Sequence, residues 1–213
     1  MTRVSRRMFA TLAMASGLAV HQWLLRLTDV HVRSYPHLTD PVLSRLPTLN
    51  IDVAGEAALA AFLALFSFHH FRRQPERTTV LFVAIGLLYA ARGLFLWLMP
   101  IGAPPGAPAD ALRLYPYADH SYFPSGHVGL ISLCAWLCRD RLWRRWFLAV
   151  AVVFGLGTML AKAHYTADLL GALLLSHAVA TLALQASARR SIQPIAPRSL
   201  GRATPDGGAI PGA

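Results

Sequence analysis

Six apolar runs, separated by basic, acidic or proline-rich segments, dominate the chain and leave few soluble folds open to it. They cover residues 8–27, 54–71, 79–99, 125–139, 145–161 and 167–185. A bilayer core of about 30 Å takes about 20 apolar residues in a helix, and only helices and closed barrels satisfy the backbone inside lipid. The fourth run is short for that thickness, so it is expected to be recessed at one end or to continue past Arg139. With 55% hydrophobic and 14% charged residues, the chain is far from the charged fraction of about 25% in soluble domains. The expected fold is all-α, a polytopic six-helix membrane bundle over residues 1–186. A polar tail, 187–213, rich in Pro, Gly and Arg, is expected to be disordered and cytoplasmic.

A net charge of +10 suits nucleic acid until the charges are placed. With the N-terminus cytoplasmic, Arg3, Arg6, Arg7, Arg72, Arg73, Arg77, Arg139, Arg141, Arg144, Arg145, Arg189, Arg190, Arg198 and Arg202 share one side. Those are 14 of the 20 basic residues. The opposite loops hold Arg33, Arg45, Arg113 and Lys162, and Arg26 and Arg92 lie within the runs. This alternation is the positive-inside bias, so the basic charge describes topology and nucleic acid is not an expected partner. Seven of the ten acids, among them Asp40, Glu56, Asp119 and Asp168, fall on the other side.

Ser5-Arg6-Arg7-Met8-Phe9 is similar to a twin-arginine export signal, but an N-terminal span with basic flanks explains it better. Cys134 and Cys138 lie one turn apart within a run and have no second pair of metal ligands nearby. The outer loops, 28–53 and 100–124, are rich in Pro and long enough to serve as lids, and Ile101 to Pro108 cannot be helical. Trp97, Trp143, Trp146, Tyr115, Tyr117 and Tyr122 fall near span ends, as interfacial aromatics do.

Two short segments on the acidic side carry the chemistry. In His164-Tyr165-Thr166-Ala167-Asp168 the carboxylate follows the imidazole by four residues, one helical turn. Such a carboxylate fixes the tautomer and leaves the other ring nitrogen free to attack an electrophile. The plain alternative is a histidine bonded to a nearby loop, with Asp168 as a helix N-terminal charge. An acid just inside a membrane span is costly, which favours function. In Pro124-Ser125-Gly126-His127, Ser125 is a good N-cap and Gly126 lets the backbone approach a ligand. Helix N–H groups there would hold an anion, with His127 beside it as proton donor. A capped helix with an interfacial histidine is the alternative.

Tyr122-Phe123-Pro124-Ser125-Gly126-His127 and His164-Tyr165-Thr166-Ala167-Asp168 resemble the second and third signature motifs of the type-2 phosphatidic acid phosphatase superfamily. The resemblance implies a metal-free helical enzyme acting through a phosphohistidine, without cofactor. It implies His164 as nucleophile, Asp168 as its orienting partner and His127 as general acid, with Ser125 and Gly126 around the phosphate oxygens. The match covers the last three runs. The first signature, a lysine followed by Arg-Pro, is absent: Arg92 is followed by Gly93 and no lysine precedes it. Gly157 and Thr158 stand where a Ser-Arg pair is usual. What remains is also similar to the sphingomyelin-synthase-like branch, through His-Tyr-Thr-x-Asp, Arg92 leading into a proline-rich outer loop, and Tyr35 through Pro47.

Arg92 lies about 10 Å below the outer end of its run and must pair or face a polar cavity. It is expected either to contact a substrate phosphate or to pair with Glu56. Lys162 is a second phosphate-binding candidate; otherwise it is a snorkelling helix-end charge. Glu56, Asp119 and His120 are candidates to support the site. His177 is expected in packing, and His69 and His70 at the cytoplasmic interface. The sequence thus predicts a lipid phosphate phosphatase, with a lipid head-group phosphotransferase and a non-catalytic membrane protein with a relic site as alternatives. The partners are a lipid phosphate or phospholipid and the bilayer. No zinc-hydrolase ligand set such as His-Glu-x-x-His occurs, so no metal is expected.

Overall fold

Apolar runs of this length have one inexpensive conformation in lipid, and the computed structural model, which describes residues 3–31, 35–49, 52–107 and 123–192, is helical through all six. The helices are α1 (Arg3–His31), α2 (Asp52–Arg73), α3 (Thr78–Leu98), α4 (Gly126–Leu137), α5 (Arg141–Leu160) and α6 (Thr166–Ile192). Five of them are long and apolar enough to cross a membrane. Large apolar side chains remain exposed along these helices, including Leu12, Phe68, Leu94, Val153 and Leu174. That outward greasiness is what lipid, rather than water, would cover.

α4 is the exception. Its 12 residues rise only about 18 Å. Of the two expectations for the fourth run, continuation past Arg139 is not met: Cys138 is extended, and α5 restarts at Arg141 with the Asp140 carboxylate accepting from the N–H groups of Leu142 and Trp143. The lost length costs α4 little, because it is enclosed, with Val128, Ile131, Ser132, Leu133 and Ala135 all buried. It lies against α5 and α6, while α3 and α2 also reach it. Between α4 and α6 the hydroxyls of Ser132 and Ser176 meet at 2.8 Å, a polar tie of the kind apolar helices use where the hydrophobic effect no longer drives association.

α1 and α3 cross more closely than side chains would allow. A Cβ on Gly17 would collide with the carbonyl oxygen of Gly86, and one on Gly86 would lie 2.5 Å from that of Ala13. Glycine at both positions lets the backbones touch. The crossing places His21 of α1 beside Arg92 of α3. The main core lies toward the other end of the bundle, where Phe62, Phe66 and Phe147 pack with Leu88, Ile131 and Leu137. A smaller cluster of Leu43, Ile101, Met159 and Tyr165 holds the outer loops.

α6 continues to Ile192, into the segment expected to begin the disordered tail. Gln185, Ala186, Ala188 and Arg189 are strong helix formers, and a helix already anchored in the bundle extends through them at no nucleation cost. Residues 193–213 of that tail lie outside the described residues.

Candidate active site

The site forms where the N-termini of α4 and α6 meet. Ser125, with non-helical backbone (φ −57°, ψ 122°), caps α4 by accepting from the N–H of Val128 at 3.4 Å. Its own N–H donates to the carbonyl of Asp168 at 3.2 Å, which ties the two helix starts together. His164 lies two residues before α6 rather than within it. The expected four-residue spacing is nevertheless realised, because the Asp168 N–H closes a turn onto the Tyr165 carbonyl.

A three-member relay results. His164 Nδ1 lies 3.2 Å from Asp168 Oδ2, and His164 Nε2 lies 3.1 Å from Ser125 Oγ. Asp168 Oδ2 also accepts from the Tyr165 N–H at 2.8 Å. A carboxylate accepting from Nδ1–H leaves the lone pair on Nε2, which then accepts from the serine hydroxyl. Ser125 and Asp168 are wholly buried and His164 is 7% exposed. Asp168 Oδ1 has no hydrogen-bond partner among the described residues. An orphaned carboxylate oxygen at such depth is expensive, and such exceptions concentrate where chemistry needs them.

Arg92 completes the floor. Its Nε donates to the carbonyl of Pro124 at 2.8 Å, and its Nη1 to His21 Nε2 at 3.0 Å. It thereby supports the turn that opens α4 from beneath. A Cβ on Gly126 would lie 3.1 Å from Arg92 Nε and 3.2 Å from Cζ, so glycine is what admits the guanidinium. The expected structural alternative, an Arg92–Glu56 pair, is not formed. Glu56 instead faces His127, with Oε1 3.6 Å from Nε2. Both are partly open, at 42% and 35% exposure, which makes this the accessible side of the site. His127 is also near enough to His164 and Arg92 for their charges to interact. His21 gave no signal in the sequence beyond being a histidine inside an apolar run.

Lys162 has a role other than the expected phosphate contact. Its backbone is left-handed (φ 55°), and its Nζ donates to the carbonyls of Leu43 and Leu46, the latter at 2.9 Å. The ammonium is thereby spent on the outer loop. Asp40, on the same loop, does the converse. Its carboxylate accepts from the Thr166 N–H at 2.7 Å and hydroxyl at 3.1 Å, and from the Leu43 and Val42 N–H groups. Partial burial opposes the Asp40 charge, but these donors outweigh it and lower its pKa. Tyr165 adds a third latch, its hydroxyl donating to the Ala103 carbonyl and accepting from the Leu38 N–H. Burial, the largest influence, raises the pKa of that phenol and keeps it a donor. Loops 35–49 and 101–107 are thus fastened to the segment that carries His164. Asp40 was hidden in the sequence because a loop aspartate before a proline reads first as a turn former.

Asp119 and His120 lie outside the described residues. Cys134 and Cys138 are free thiols, and no group of metal ligands occurs among the described residues. His177 packs edge-on against Trp136, as expected. His69 and His70, expected at the cytoplasmic interface, are buried against Trp143 and Phe66. No family model, characterised protein or solved structure matches the chain.

Proposed function

We propose that this protein is an integral-membrane lipid phosphate phosphatase acting through a phosphohistidine at His164. The observation that carries the proposal is the buried Ser125–His164–Asp168 relay resting on the Arg92 guanidinium at the meeting of two helix N-termini. Helix N-termini favour an anion, and the Arg92 guanidinium lies against the Gly126 turn that opens α4.

The reaction has two steps. Ser125 Oγ–H turns from Nε2 to a phosphate oxygen, and Nε2 attacks phosphorus in line. The P–N bond forms as the P–O bond to the lipid alcohol breaks, and His127 gives that alkoxide its proton. Asp168 stabilises the resulting imidazolium, while Arg92 and the α4 amides neutralise the phosphoryl oxygens. Water then attacks the phosphohistidine, His127 takes its proton, and phosphate leaves with the bond electrons returned to Nε2. Glu56, with Oε1 3.6 Å from His127 Nε2, holds the imidazole in place.

Serine as nucleophile for acyl transfer fits less well. Ser125 is wholly buried and its Oγ is occupied as the α4 cap. Head-group phosphotransfer is favoured by one observation: the nucleophile side is nearly closed to water, whereas the His127–Glu56 side is open to an acceptor. A second lipid alcohol attacking the phosphohistidine would make the protein a transferase with the same residues.

In this proposal α4 is the short fourth of six spans. The arginine-rich ends set both termini in the cytoplasm and the site on the outer face, which suits a bacterial inner membrane. The test is a detergent-reconstituted assay with labelled lipid phosphates and phospholipids, with and without chelator. Free phosphate, insensitive to chelator and lost in His164→Ala, is the expected result. A new phospholipid formed only with an acceptor lipid assigns transfer instead. Equal product from wild type and His164→Ala overturns the phosphohistidine.

A further inference from the structure

A second cationic site lies about 18 Å away along α4, at the other end of the bundle. The C-terminus of α2 and the α4–α5 junction enclose a cavity of about 320 Å³ lined by His69, Arg73, Gln74, Arg139, Asp140 and Trp143. None of these residues belongs to the site around His164.

The floor of the cavity is fully built. Gln74, 4% exposed, accepts from the Arg139 N–H at 3.0 Å, and its amide nitrogen lies 3.5 Å from both His69 Nε2 and Cys138 Sγ. The His69 ring lies on Trp143, centroids 4.5 Å apart. Asp140 is the one acid present, and one of its oxygens is taken by the α5 amides at 2.8 and 3.3 Å. Two neighbouring arginines are committed elsewhere: Arg72 lies over the Phe68 ring, and Arg77 donates to the Leu137 carbonyl. At Arg73 and Arg139 neither guanidinium has a hydrogen bond or ion pair among the described residues, the Arg139 contact to Gln74 being made by its backbone N–H. Arginines that serve only to orient a chain need no cavity between them. Two guanidiniums lining one cavity over an aromatic and amide floor form a fork for tetrahedral oxyanions.

We propose that this cavity binds a phosphate-bearing anion, clamped by Arg73 and Arg139. Its volume is at the lower end of the range of about 300–1,000 Å³ for small-molecule sites, enough for a phosphoryl head group. Phe71, Leu142 and Trp146, close in sequence to the lining residues, are exposed. They set the cavity at the depth of the membrane–water border, where basic pockets between helices take anionic head groups. A lipid head group and a soluble phosphate present the same chemistry to the clamp.

The test is thermal unfolding of the full chain in neutral detergent. It is titrated separately with short-chain phosphatidylglycerol, short-chain phosphatidylcholine and inorganic phosphate, for wild type, Arg73→Gln/Arg139→Gln and Arg6→Gln/Arg7→Gln. The expected result is a saturable rise in Tm with phosphatidylglycerol, and an apparent affinity at least about tenfold weaker in the Arg73/Arg139 variant alone. A matching rise with inorganic phosphate assigns a soluble ligand to the clamp. Stabilisation by phosphatidylcholine equal to that by phosphatidylglycerol overturns the proposal. So does absence of any saturable rise, or weakening shared equally by the Arg6/Arg7 control. Should the double variant fail to fold, the single variants Arg73→Gln and Arg139→Gln give the same reading.

Discussion

Gly126→Ala tests whether Arg92 is held where a phosphate needs it. The added methyl would lie 3.1 Å from Nε, 3.2 Å from Cζ and 3.6 Å from Cδ of Arg92, so the side chain must yield by a few tenths of an ångström. It has little room to do so. Nε is bonded to the Pro124 carbonyl and Nη1 to His21, and α3 lies backbone-to-backbone on α1. Overpacking costs about 1–3 kcal/mol, partly offset by about 0.5–1 kcal/mol for replacing glycine in a helix. Stability is therefore expected to fall by no more than about 2.5 kcal/mol. The guanidinium, however, is tilted away from the anion position. Loss of one charge-assisted hydrogen bond, about 1.5–3 kcal/mol, lowers kcat/KM about 10- to 150-fold. The assay is phosphate release from a lipid phosphate in detergent, with Tm measured on the same samples. An alanine variant that keeps wild-type kcat/KM, while His164→Ala is inactive, refutes a phosphate role for Arg92.

Asp168→Asn is expected to lower the single-turnover rate of phosphohistidine formation about 10⁴-fold, the scale seen when a carboxylate orienting a catalytic histidine loses its charge. Unchanged labelling of His164 contradicts the relay. Asp40→Ala strips the acceptor from the Thr166 and Leu43 N–H groups and is expected to cost about 1 kcal/mol, as loss of a helix cap does, measured by urea or thermal unfolding. Because the Asp40 pKa is lowered on folding, its contribution is complete above the usual value of 3.8 and fades as pH falls through the folded value. The wild-type minus Asp40→Ala difference in Tm should therefore be flat from pH 5 to 8, and a difference that grows toward acid would contradict the sign. Gly17→Leu forces α1 from α3 and is expected to abolish activity, though Gly17 touches neither His164 nor Asp168. Retained activity at an unchanged Tm would show that the close crossing does not hold the site.

Helix positions were legible in the sequence because apolar run length alone selects a helix in lipid. The extent of α4 was not, since where it stops depends on Asp140 capping the next helix rather than on hydropathy. Of the site, His164 and Asp168 were legible because four residues bring them to one side whether the helix begins at or after the histidine. Ser125 and Gly126 were legible as a cap and a close approach. Partners across the bundle were not: Arg92 meets His21 rather than Glu56, and Lys162 meets loop carbonyls, because both choices depend on how α1 and the outer loops dock.

By itself, then, the sequence determined an all-helical chain of apolar runs, the arginine-rich ends, and two local motifs whose spacing is complete within a single turn. The tertiary structure decided which helix ends meet, which ionic groups are consumed as fastenings, and which side of the site stays open. The division follows from range. Periodicity, capping and i to i+4 contacts are properties of neighbouring residues, whereas a pairing over 71 residues such as Arg92 with His21 exists only once α1 and α3 have packed.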